Sequence, residues 1–99
     1  DVLDVSLSPS GSKVDFVMAG PEHTEVVSVV DLAGDAQFRT ILSNGEKIGD
    51  IDRCEWASDE RLICQLSGMA DDAGVLVPFD RLLAVNADGS NVKLLSQRN

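Results

Sequence analysis

The sequence predicts an all-β chain of two antiparallel four-stranded sheets, and three observations predict it. The 43% apolar content is dominated by Val, Leu and Ile, with three Phe, one Trp and no Tyr, a balance that favours strands over helices. Turn-forming residues interrupt the apolar segments at short intervals throughout. The two halves of the chain can also be laid over one another with a period of about 50 residues. No window holds apolar residues at i, i+3, i+4 and i+7 for three turns without meeting Gly or Pro.

Each strand is bounded by a specific breaker. Val2–Leu7 runs into Ser8-Pro9-Ser10-Gly11. Lys13–Ala19 alternates through Val14, Phe16 and Met18 before Gly20-Pro21 stops it. Glu25–Leu32 is apolar at nearly every position from Val26 to Val30, which suggests a strand covered on both faces, and it ends at Gly34-Asp35. Gln37–Ser43 ends at Asn44-Gly45. In the second half Ile51–Ala57 meets Ser58-Asp59-Glu60, and Arg61–Ser67 alternates through Leu62, Cys64 and Leu66. The last two strands are Arg81–Ala87, with its apolar run Leu82–Val85, and Asn91–Ser96, separated by Asp88-Gly89-Ser90-Asn91. About seven extra residues precede the third strand of this half. The Asp71-Asp72-Ala73-Gly74 stretch and Pro78 mark the region near 68–80 as an inserted loop, for which a long hairpin connection is one form.

The repeat is specific. Leu7 to Val14 falls on Trp56 to Leu62 with one residue lost in the turn, Val27 to Gly34 falls on Leu82 to Gly89, and Ile41-Leu42 falls on Leu94-Leu95. Each half thus reads as one propeller blade, 1–48 and 49–99, and the pair as an incomplete β-propeller. Pro9 presets φ in the first turn, and Gly11 supplies a conformation that other residues resist. Ala33-Gly34 and Asp88-Gly89 are expected to do the same in the turns before the fourth strands, and Trp56 to fill the space between neighbouring blades.

Ser8-Pro9-Ser10-Gly11-Ser12-Lys13-Val14 resembles the Ser-Pro-Asp-Gly opening of bacterial WD-like blades, with Ser10 in place of the usual Asp. Together with Trp56-Ala57-Ser58-Asp59-Glu60-Arg61-Leu62 and Val85 to Asn91, it resembles the N-terminal propeller region of the prolyl oligopeptidase family of serine peptidases over residues 1 to 99. That resemblance implies a propeller of about seven blades that caps an α/β-hydrolase domain and restricts peptide entry. The rest of the propeller, the hydrolase domain and a peptide substrate are the partners it implies, and a secreted or periplasmic location is its implied compartment. The same blades occur in the Tol-type periplasmic propeller, a stand-alone protein-binding scaffold, which is the alternative reading. A carbohydrate- or lactone-acting propeller enzyme is disfavoured, because its metal ligands would have to lie outside this segment.

Catalytic residues are not expected in this chain, and neither is a cofactor. No Gly-x-Ser-x-Gly pentad occurs; Ser10-Gly11 and Ser67-Gly68 are the nearest approaches. The one histidine, His23, sits in a Gly-Pro-Glu-His segment and reads as an exposed bystander without a base's partners. His23, Cys54 and Cys64 lack the close spacing of a structural zinc site. Asn86-x-Asp88-Gly89 is spaced like part of a calcium loop, but it would put Ala84 and Leu95 at ligand positions. The clusters Asp50, Asp52, Glu55 and Asp71-Asp72 read as solvated turns. If the second hairpin pivots on Asp59, Cys54 and Cys64 face each other. The geometry then permits a disulfide, although two buried, reduced thiols are the favoured reading.

Seventeen acidic against eight basic residues give a net charge of −9, which disfavours binding to nucleic acid or to an anionic membrane surface. No segment approaches the roughly 18 apolar residues of a membrane-spanning helix, and no phosphate-cradling glycine loop is present. Two blades cannot close a ring of at least about four. By itself the chain is therefore expected either to form a homo-oligomer or to collapse into a sandwich-like pair of sheets.

Overall fold

Eight strands carry the chain: β1 Val2–Leu7, β2 Lys13–Ala19, β3 Glu25–Asp31, β4 Phe38–Ser43, β5 Asp50–Ser58, β6 Arg61–Asp72, β7 Val75–Asn86 and β8 Lys93–Arg98. The structure, a computed structural model, describes residues 2–44 and 49–98, with the backbone alone at His23, Gln97 and Arg98. Gly45 of the expected Asn-Gly turn and residue 48 at the expected blade boundary lie outside the described residues. A 3-10 turn, Pro21–His23, joins β2 to β3. The fold is all-β. β1-β2-β3-β4 form one four-stranded antiparallel sheet and β5-β6-β7-β8 a second.

The register repeats between the sheets. Leu7 pairs with Val14, Val5 with Phe16 and Val2 with Met18. In the second sheet Trp56 pairs with Leu62, Cys54 with Cys64 and Ile51 with Leu66. Irregularities recur at matching places: one between Val2 and Asp4 and one between Ile51 and Arg53 in the first strands, and one opposite Val27/Ser28 and one opposite Leu82/Leu83, where the fourth strands carry the extra residues Ile41 and Leu95. Such conserved bulges bend the ladder and increase its twist at the same points in both units.

Directly opposed residues of an antiparallel ladder share a face, so each sheet has a front and a rear. The front of the first sheet carries Val5, Leu7, Val14, Phe16 and Met18, and its rear carries Ser6, Asp15, Val17, Val27 and Val29. In the second sheet the matching front carries Cys54, Trp56, Leu62, Cys64, Leu66, Leu83 and Val85. The rear of the first sheet packs on the front of the second, and one buried cluster joins Val17, Val27, Val29 and Ile41 to Ile51, Cys54, Leu62, Cys64, Leu66, Leu83 and Val85. β1 lies against β5, and β4 against β7. Opposite faces of equivalent sheets are in contact, so the stacking is head-to-tail.

The inserted residues 68–80 take the form of a long hairpin, built as strand rather than as loop. β6 and β7 run on as a ladder through Gly68↔Phe79, Met69↔Pro78 and Asp72↔Val75, and the chain reverses at Ala73-Gly74. Pro78 cannot donate to a ladder, yet it is tolerated because β8 pairs with β7 only from Asp80 to Ala84, leaving Pro78 on an edge. Local turn signals in the sequence masked strands that long-range pairing stabilises.

Candidate functional site

The most distinctive polar feature is at the seam between the sheets. Alternation along β2 turns Asp15 to the rear face beside Val17, and packing of the second sheet leaves it 0% exposed. The Ser6 hydroxyl bonds Asp15 Oδ1 and also lies 3.3 Å from the Cys54 carbonyl oxygen across the seam. Asp15 Oδ2 has no hydrogen-bond partner. Burial pushes the Asp15 carboxyl up to about 6, and the neighbouring Asp4 carboxylate adds to the rise, while the hydrogen bond from Ser6 opposes it. When protonated, Asp15 can donate to Ser6 Oγ, which passes its own proton bond on to the Cys54 carbonyl. Around this group the seam is stitched by Cys54 N–H to Asp4 Oδ2 at 3.4 Å and by Trp56 Nε1 to the Ser6 carbonyl at 3.2 Å. Trp56, half-buried, packs against the shared core at the same place.

Cys54 and Cys64, opposed in the ladder, form a disulfide with Cα atoms 4.0 Å apart. This corrects the expectation of two reduced thiols. Burial of both residues suits either state, so apolar surroundings could not decide between them; direct opposition in the ladder did. The bond closes a loop over ten positions. Its removal in a Cys54→Ser/Cys64→Ser double variant is expected to cost about 3 kcal/mol in urea denaturation. An unchanged denaturation midpoint would refute that contribution.

The remaining sequence-derived residues serve turns. Ser8, Pro9, Ser10 and Gly11 form a tight turn closed by Gly11 N–H to the Ser8 carbonyl at 2.9 Å, with Gly11 at φ +79°. Ser10 N–H reaches across to Asp59 Oδ1 at 3.0 Å, and that backbone bond is the main reason Asp59 lies below the usual carboxylate range. Asp88 accepts from Ser90 N–H at 2.9 Å, and Gly89 takes φ +88°. Gly34 departs from expectation. It does not adopt the left-handed conformation; Ala36 does, at φ 56°, and the turn is held by Asp31, whose Oδ1 accepts from Ala33 N–H and whose carbonyl accepts from Ala36 N–H. His23 ends the 3-10 turn, and its side chain is outside the described residues.

A cleft of about 400 Å³ opens between the turns of the two sheets, with Lys13, Asp31, Asp35, Arg39, Glu60 and Asp88 among its lining residues. Its cations are engaged: Lys13 Nζ lies 3.4 Å from Glu60 Oε1 and Arg39 Nη2 lies 2.5 Å from Asp35 Oδ2. Among the described residues no three His, Cys, Asp or Glu side chains converge. The structure brings together Ser6, Asp15, Cys54 and Trp56, a grouping that sequence reasoning missed. Its one sequence signal was an acid inside an otherwise apolar strand, Val14-Asp15-Phe16-Val17.

No family model and no curated protein matches the chain. Among solved structures it is similar to acylaminoacyl peptidase from Pyrococcus horikoshii, with a TM-score of 0.71 and 17% identity over 98% of this chain. The chain spans 17% of that peptidase's length, and the likeness at this identity is one of fold.

Proposed function

We propose that this chain is a non-catalytic two-blade segment of the β-propeller of a prolyl-oligopeptidase-like serine peptidase. The observation that carries the reading is the head-to-tail pair of four-stranded sheets, matched over 98% of the chain by a peptidase structure at a TM-score of 0.71. In that setting the blades help to exclude large peptides and contact an α/β-hydrolase domain that holds the nucleophile. The buried Cys54–Cys64 disulfide supports an oxidising, secreted or periplasmic setting.

The test is labelling with a fluorophosphonate, which modifies activated serines. The product of the complete reading frame is expected to label on a serine outside residues 1–99, within a Gly-x-Ser-x-Gly followed by Asp and His. Label on the 99-residue chain itself, or a complete reading frame without that pentad, would overturn the proposal.

A further inference from the structure

The two blades meet front-to-rear, and that leaves the chain with one uncovered front and one uncovered rear. The uncovered front, on the first blade, carries Val5, Leu7, Val14, Phe16 and Met18, with Leu7 60% exposed and no charged side chain among the five. In register these positions match Cys54, Trp56, Leu62, Cys64 and Leu66, the side chains that the second blade buries against the first. The uncovered rear, on the second blade, carries Arg53, Glu55, Ile63, Gln65 and Leu82, with Asp50, Arg61, Asp80 and Lys93 on the same face and Ala84 buried beneath its neighbours. It repeats the pattern of the first blade's covered rear: polar in the innermost strand (Asp4 and Ser6 there, Arg53 and Glu55 here) and more apolar in the middle strands. The rear's charges balance, Arg53, Arg61 and Lys93 against Asp50, Glu55 and Asp80, with Arg53 and Glu55 3.9 Å apart, so neither open face bears the net charge of −9 that would drive copies apart. The rear also holds a groove of about 220 Å³, lined by Glu55, Trp56, Ile63, Gln65 and Leu82 among others.

The geometry points to a second copy of this chain as the occupant: the 99-residue chain by itself assembles by seating its uncovered front on the uncovered rear of the next copy, repeating between copies the interface already formed within one. Leu7, the counterpart of Trp56, enters the groove at Leu82. Such a heterologous contact closes into a ring when its rotation divides a full turn. Propellers close with roughly four to eight blades, so two, three or four copies complete the ring. This goes beyond the peptidase reading and does not rest on it; in a longer chain the same two faces receive flanking blades.

The test uses sedimentation equilibrium on the 99-residue chain and on two charge variants at exposed positions, Leu7→Glu on the front and Leu82→Glu on the rear, the latter 39% exposed in one copy. The unsubstituted chain is expected at two to four times its 10.6 kDa mass, and each variant at the monomer mass. Trp56 fluorescence reports that each variant stays folded. Mixed together, the variants retain one intact front and one intact rear between them and are expected to form a 1:1 dimer that goes no further. A monomeric parent chain, an indefinite polymer, or assembly lost with Leu7→Glu but kept with Leu82→Glu would each overturn the proposal, the last because it marks a symmetric front-to-front contact.

Discussion

Raising the pH from 4 to 7 is expected to cost the folded chain about 2.4 kcal/mol through Asp15 alone, most of the full effect of its shift. The carboxyl titrates at about 6 when folded, against 3.8 as its ordinary value. At about 1.4 kcal/mol for each tenfold change in proton affinity, that difference corresponds to roughly 3 kcal/mol. The direction follows from which state holds the proton more tightly. The folded state does, so the stabilisation is complete below 3.8 and disappears as pH rises through 6. Asp35, Asp59 and Asp88 act oppositely, since hydrogen bonds hold each below its ordinary range. Their stabilisation is present above 3.8 and fades in stronger acid. Urea denaturation across pH 4 to 7.5 should therefore show a decline in the unsubstituted chain that is absent from Asp15→Asn. Parallel profiles would place the titrating group elsewhere.

Leu62→Ala is expected to remove about 3–5 kcal/mol, because the side chain is wholly buried where the two blades meet and its loss leaves a cavity in a shared core. A domain of this size has roughly 5–15 kcal/mol in total, so much of the population should unfold at modest urea. Leu7→Ala provides the contrast. It lies on the same face of the equivalent strand pair, directly opposite Val14, the counterpart of Leu62, yet it is exposed, so at high dilution its truncation should cost under about 0.5 kcal/mol. Equal costs in the two variants would show that both fronts are covered alike, contrary to the packing described here.

Much of the fold was legible in the sequence because its signals are local. β1 and β2 begin and end where Pro9, Gly11 and Gly20 dictate, and the other predicted strands fall within a few residues of the observed ones. The exception is the β6–β7 hairpin. Asp71-Asp72-Ala73-Gly74 and Pro78 read as breakers, but an edge strand tolerates them when its partner supplies the hydrogen bonds. The Gly34 turn failed differently. An aspartate side chain, Asp31, organises it, so the glycine there does not mark the left-handed residue.

By itself, the sequence determined a duplicated four-strand module and most of its turns, and it set Cys54 opposite Cys64 on the condition that the hairpin pivots on Asp59, since pleat and turn chemistry act over a few residues. Period-two alternation also established which side chains share a face: Val14, Phe16 and Met18 on one, Asp15 and Val17 on the other. Only the tertiary structure decided which of those faces is covered. It selected the one holding Asp15, leaving the more apolar stripe open, because stacking depends on the fit of whole sheets rather than on the hydrophobicity of one strand. That choice creates the buried carboxyl, completes the core around the disulfide, and leaves one front and one rear free for further copies.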